Sequence, residues 1–448
     1  MWWFAILYFV NAVAPHNTLI YNDDYRLVIA GMPINILDGL MLLCGILSIM
    51  PSRSPYFIAQ VHPAFKRGLL LLFIAFGIGV LISFVFSPDL PSRFRLPPIR
   101  NFVLAPLCLF MGYRALSYPR QARTAFWIVF ISSIGSAAAS IISQGQATSA
   151  LAETSRASFD TLRHTALDVS GDAGLLAASV ILFCMVSGTT LLNFAVRGFL
   201  LVICAAGMFL IPHRSTWLLD VMTLAYAGFI MWPFNMGRKI LANSAVFLGL
   251  LASGFVLMLA IQAQTNRDFS GWVEDRLASL LPGSEKAHEA KAWDTRVPGM
   301  VYELKMWLGN PVLGRGFAAQ EDQAIKDAEF YSFRHTPWAS TLCETGLIGF
   351  AGFAFVIVGL AVVGTRLARQ GPDRWFVLLG AIGASWGVVC FIAGFFTLHW
   401  NSPRAAITLG LLAGLIFRAR DLSLGVASQP QQLPLAGYAN RSYEPGYV

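Results

Sequence analysis

Runs of about 20 apolar residues, enough to cross roughly 30 Å of hydrocarbon as a helix, recur along this chain with short polar connections between them. The pattern predicts twelve membrane-spanning helices, at residues 2–19, 28–50, 67–87, 101–117, 122–143, 172–192, 196–212, 215–234, 240–263, 346–365, 373–396 and 405–418. One interval breaks the rhythm. Gln264 to Glu344 carries 12 of the chain's 24 Asp and Glu, and its apolar residues fall at helical spacing. The expected fold is therefore all-α, a polytopic membrane protein of about 12 transmembrane helices with a folded helical loop. Its parts are an N-terminal bundle of about nine helices over 1–263, a loop domain at 264–345, three C-terminal transmembrane helices over 346–420 and a flexible tail at 421–448.

Within the long loop, Pro298 is a favoured first helical residue, and Met300, Leu304, Trp307 and Leu308 share one face before Asn310-Pro311 stops the helix. A second short helix is expected from Glu321 to Tyr331, with two acids in its first turn. Thr336 is placed to cap a third, starting at Pro337 and breaking at Gly346. The tail from Ser428 is rich in Gln, Pro, Gly and Tyr, lacks an apolar face and is expected to be mobile.

Charge orients the spans. With a cytoplasmic N-terminus, the inner connections hold Arg53, Lys66, Arg67, Arg114, Arg120, Arg123, Arg197, Arg238, Lys239, Arg366, Arg369 and Arg374, followed by Arg418 and Arg420 after the last span. This is the positive-inside bias, and it puts both termini in the cytoplasm. The first segment, Met1-Trp2-Trp3 onward, has neither a basic n-region nor a small-residue cleavage site and reads as a retained span. A chain that is 56% hydrophobic and 12% charged, with mean hydropathy +0.61, owes its net charge of +8 to these loops, so no nucleic-acid partner is expected. The six cysteines lack metal-ligand spacing and read as small core residues.

The outer connections then fall at 20–27, 88–100, 144–171, 264–345 and 397–404. The second holds Arg93, Arg95 and Arg100 against the single acid Asp89, so these arginines either anchor on lipid phosphate or serve an anionic ligand. His213 and Arg214 precede the eighth span, where Arg214 is a snorkelling anchor or an anion site. Arg296 and Arg315 add two further guanidinium groups on this side. His335 stands just ahead of the Pro337 helix, where a neutral imidazole, with an ordinary pKa of about 6.5, can take a proton from a hydroxyl nucleophile. Glu344 follows nine residues later. The chain has no GxSxG, HExxH, P-loop or GxGxxG motif, so hydrolase, zinc-protease and nucleotide-binding chemistry lack support.

Taken in order, Arg214 before a span, Thr295-Arg296, Pro311 to Gly316, His335-Thr336-Pro337-Trp338 and Glu344-Thr345-Gly346-Leu347 make the chain resemble the O-antigen ligase and O-antigen polymerase superfamily. The resemblance is strongest over 200–365, and its most specific element is the histidine followed nine residues later by Glu-x-Gly-Leu. Thr336 stands where those proteins often have Asn.

The resemblance implies a GT-C-like fold in the bacterial inner membrane with a periplasmic active site. It implies transfer of a glycan from an undecaprenyl-diphosphate carrier to an acceptor hydroxyl on a lipid, saccharide or protein, without cofactor or metal. Arg214 and Arg296, with Arg315, would stabilise the departing diphosphate, and His335 would orient or deprotonate the acceptor. His213, Glu344, Arg93, Arg95 and Arg100 would line the substrate sites. Inversion at the anomeric carbon is expected from attack opposite the leaving group. Two other readings stand beside this one: a transporter or flippase of lipid-linked sugars, and a metal-dependent membrane glycosyltransferase using Asp23 and Asp24.

Overall fold

The computed structural model describes residues 1–13, 27–29, 32–34, 36–50, 61–86, 92–153, 222–223, 225–226, 228–230, 249, 292–317, 319, 336–395 and 403–428. The architecture is helical. Its elements are α1 (Trp2–Val13), a strand pair β1 (Leu27–Ile29) and β2 (Met32–Ile34), α2 (Ile36–Ile49), α3 (Pro63–Phe86), α4 (Ser92–Ala115), α5 (Gln121–Glu153), α6 (Ala292–Leu308), α7 (Pro337–Gln370), α8 (Arg374–Ala393) and α9 (Pro403–Ser428).

Three of these, α3, α7 and α8, are long and apolar enough to cross a membrane, and α1 and Asp38–Ile49 within α2 form shorter apolar helices. Many large apolar side chains on α2 and α3, such as Leu42, Ile46, Leu70, Phe73, Leu81 and Val85, are exposed, as expected of a surface solvated by lipid. The spans expected at 172–192, 196–212 and 240–263 lie outside the described residues but for Gly249, as does most of the one at 215–234.

Several boundaries differ from the sequence expectation. The second span was expected from residue 28, but residues 27–34 form a tight antiparallel pair with Leu27 opposite Ile34 and Ile29 opposite Met32. The fold is thus helical with one small hairpin. The β-branched and proline-containing stretch before Ile36 favours extended backbone over another turn of helix. Residues 92–100, expected as a connection, are the first turns of α4. Helix α5 continues to Glu153, into the expected outer segment 144–171, and α9 reaches Ser428, so the first residues of the expected flexible tail are helical.

Glycine governs the close packing. In α9, Gly410 and Gly414 lie four apart and press on the backbone of α4 around Ala105, Leu109 and Gly112, and the two helices run parallel. Helices α7 and α8 run antiparallel, with Gly364, Gly380 and Gly387 touching the facing backbone at Ala384, Ala368 and Ala361. Helices α3 and α7 are likewise antiparallel through Gly68, Gly79, Gly349 and Gly352. Lipid supplies no hydrophobic drive for helix association, so these smooth surfaces allow the backbone approach on which membrane helix packing depends.

The contacts define two ends. At one, Asp421 of α9 accepts from the Tyr113 hydroxyl at 2.8 Å and from the His62 amide, Arg418 donates to the Leu116 carbonyl, and Arg123 and Arg374 lie over the ring of Trp375. At the other end are the last turns of α3 and α8, the first turns of α4, α7 and α9, and the turn that follows α6.

Candidate functional site

Helix α7 is interrupted ten residues from its start. Gly346 takes φ 63° and ψ −160°, a conformation open to glycine, so the segment Pro337–Thr345 and the longer apolar stretch that follows are two helices meeting at a kink. A broken helix leaves backbone groups to satisfy. In an unbroken helix Leu347 would donate to the Cys343 carbonyl. Here the turn after α6 replaces those partners: the amides of Arg315 and Gly316 donate to the carbonyls of Cys343 and Glu344 at 2.7 and 2.9 Å, and the Leu347 amide donates to Pro311 at 3.0 Å.

The turn can sit this close because it is made of glycine at its contact points. Gly314 and Gly316 have φ of 73° and 86°. A Cβ on Gly314 would stand 2.6 Å from the Gly346 nitrogen, and one on Gly316 would stand 2.8 Å from the Ser83 Cα. Phe317, fully buried, then drops between α3 and α4, its ring 5.1 Å from Phe102 and 6.4 Å from Phe76. Trp307 fastens the near side of the turn by donating from Nε1 to the Pro311 carbonyl at 2.8 Å.

The first turns of α7 carry an unusual density of buried polar groups: Thr336, Ser340, Thr341, Glu344 and Thr345. Facing them from α6 is Glu303, whose relative exposure is 0%. Its Oε2 accepts from the Thr336 hydroxyl and its Oε1 from the Ser340 hydroxyl, each at 2.7 Å. Both oxygens of the Glu303 side chain are thus taken up by hydroxyls at the start of α7, which meets the hydrogen-bonding need of a fully buried polar group. Thr336 was expected to cap α7 with its own side chain; it holds the N-cap position, but its hydroxyl makes no capping bond and is committed to Glu303. Trp338 ties the same turn to α8, donating from its amide to the Gly394 carbonyl at 3.1 Å and from Nε1 to Phe391 at 2.9 Å.

The residues singled out in the sequence are distributed unevenly around this centre. Glu344 is buried within it, 8% exposed, and its carbonyl receives the turn. Arg315 lies on the turn, but its Nε donates to the Met306 carbonyl at 3.0 Å and its guanidinium lies against Gly309. It thereby closes the C-terminal end of α6, where a cation also favours the helix dipole. Arg100 is half-buried and donates from Nε to Asp38 Oδ1 at 2.9 Å. Its expected role toward an anionic ligand or lipid phosphate is neither supported nor opposed by this contact with a carboxylate of α2.

Arg93 and Arg95 lie in the first turn of α4 and Arg296 in that of α6, with side chains outside the described set. His335, Arg214, His213, Asp23 and Asp24 lie outside the described residues. His335 is joined by one peptide bond to Thr336, the residue Glu303 anchors.

Glu303 was not anticipated from the sequence. A signal was there: it falls three residues after Met300 and one before Leu304, an acid set into the apolar stripe of α6. Comparison with known proteins adds no assignment, since no protein-family model and no curated protein matches the chain.

Proposed function

We propose that this chain is a membrane-embedded glycosyltransferase that moves a glycan from an undecaprenyl-diphosphate carrier to an acceptor hydroxyl, in the bacterial inner membrane and facing the periplasm. The observation that carries the reading is the buried Glu303–Thr336–Ser340 cluster, which holds the residue next to His335 in the chain and lies at the end of the bundle opposite the one where Arg123, Arg374 and Arg418 gather. The positive-inside rule makes that basic end cytoplasmic and the cluster periplasmic. A fully buried ionisable group is costly, which makes this cluster a candidate for a functional rather than a packing role.

In the reaction, the acceptor oxygen forms a bond to the anomeric carbon as the bond from that carbon to the phosphate oxygen breaks, its electron pair leaving on the diphosphate. His335 takes the acceptor proton, a contribution typically worth roughly 10² to 10⁴ in rate. Arg214 and Arg296 meet the charge that develops on the diphosphate. A phosphate leaving group is weakly basic, so one histidine with flanking arginines can serve where glycosidases need two carboxylates. Attack from the opposite face inverts the anomeric centre.

The test incubates the purified protein with an undecaprenyl-diphosphate-linked glycan, with and without EDTA and beside His335→Ala, and sizes the products. A ladder of longer lipid-linked glycans marks a polymerase, and a single transfer to an added acceptor marks a ligase. Full activity in His335→Ala, or abolition by EDTA, would overturn the site and direct attention to Asp23 and Asp24.

A further inference from the structure

We infer that Glu303 is a positioning residue for this transfer: through Thr336 and Ser340 it fixes the start of α7, the backbone to which His335 is joined by one peptide bond. The inference rests on the glycosyltransferase reading and goes beyond it in naming how the active end is held.

A carboxylate with no exposed surface is a poor choice for stability alone. Burying it carries a desolvation penalty that its partners must offset, and an apolar residue of similar volume would hold α6 against α7 without that penalty. Its geometry suggests the reason it is there. Each carboxylate oxygen takes a hydroxyl from a different turn of the same helix, Thr336 and Ser340 lying four residues apart, so the carboxylate constrains both the position of α7 and its rotation about its own axis. The Ser340 amide also bonds to the Thr336 carbonyl at 3.0 Å, and Trp338 pins the intervening backbone to α8. Residue 336 is thus held by α6 through its side chain and by α8 through its neighbour.

His335 follows that anchor at the length of one peptide unit, about 3.8 Å between Cα atoms. A general base must meet its proton within hydrogen-bond reach, and a misplacement of about 1 Å can cost on the order of 10²-fold in rate.

The test measures transfer kinetics of the full-length protein in detergent for Glu303→Gln, Thr336→Val, Thr336→Ser and the Gln/Val double variant, with unfolding temperatures recorded in parallel. Glu303→Gln and Thr336→Val are expected to lower kcat roughly 10- to 100-fold with donor KM little changed. Thr336→Ser, which keeps the hydroxyl, restores most of the lost turnover. The double variant loses little more than either single one, because both remove the same anchor.

Unchanged kcat in Glu303→Gln would overturn the inference and leave the transferase reading standing. So would a fall in unfolding temperature with a matching loss in Thr336→Ser, which would mark Glu303 as structural only. Absence of transfer by the wild-type protein would overturn the transferase reading itself, and this inference with it.

Discussion

Gly346 is the residue on which the geometry of the candidate site turns. Its φ of 63° is strained for any residue with a Cβ, and that Cβ would meet the Val312 carbonyl and the Gly314 nitrogen of the docked turn. Gly346→Ala is expected to destabilise the protein by about 1–3 kcal/mol and to lower transfer activity, read from the unfolding temperature and from kcat. Arg315→Ala removes the bond to the Met306 carbonyl and is expected to cost about 1 kcal/mol while leaving donor KM unchanged. A raised KM at unchanged stability would assign Arg315 to the substrate instead.

His62, just before α3, adds a pH dependence. Burial lowers its pKa from the ordinary 6.5, Arg420 and Arg366 lower it further, and Asp421 opposes them. The unfolded chain therefore takes up the proton first as pH falls. Stability contributed at this residue is complete above about 6.5 and declines as pH drops toward the lower folded value. Unfolding temperatures measured across that window should fall with pH in the wild type and fall less in His62→Phe, where the ring remains to stack near Phe417.

At the residue scale the sequence was partly legible. Gly346 could be read because a glycine separating a polar helical start from an apolar run signals a break. Glu303 could be told from the other acids of its loop only by its place in the apolar stripe of α6, and its role could not be read because its partners lie 33 and 37 residues further along the chain.

Among the elements, hydrophobic length was a sound guide and local chemistry a weaker one. Helices α3 and α8 lie close to the apolar runs that predicted them, because a helix long enough to cross a membrane is marked by length and hydropathy whether lipid or protein surrounds it. Helix α6 begins at Ala292, six residues before the expected start, with Pro298 inside it. Pro298 is the seventh residue, past the four amides that lack intrahelical partners, so it removes one helix bond and stands inside the helix, where its preference for a first position misplaced the start. The hairpin at 27–34 went unseen because three apolar residues per strand cannot be told from the margin of a span.

The glycine contacts give this scale its own test. A Cβ at Gly414 would meet the Leu109 carbonyl and one at Gly112 the Leu411 carbonyl, so Gly414→Leu is expected to force α9 from α4. The cost should be about 1–3 kcal/mol or more, seen as a lowered unfolding temperature in detergent. A leucine tolerated there without change would contradict the close parallel packing.

For the whole molecule, the separation of its two ends organises the account. Arg123, Arg374 and Arg418 on α5, α8 and α9 collect at one end, while the docked turn, the kink at Gly346 and the buried Glu303 occupy the other, where Arg100, Arg315 and Arg404 are bound to protein acceptors. The basic connections read from the sequence include Arg123, Arg374 and Arg418, which the structure brings to one end. What the linear pattern could not convey was which polar groups meet across the far end, since that depends on helix rotation.

The central claim, that this far end breaks the bond between a glycan and its lipid diphosphate, is tested most directly by measuring release of free undecaprenyl diphosphate alongside glycan transfer in proteoliposomes. The account predicts release in equal amount to the new glycosidic bonds formed, and loss of both in His335→Ala. Movement of intact lipid-linked glycan across the bilayer without release of the carrier diphosphate would contradict it, and would make the protein a transporter.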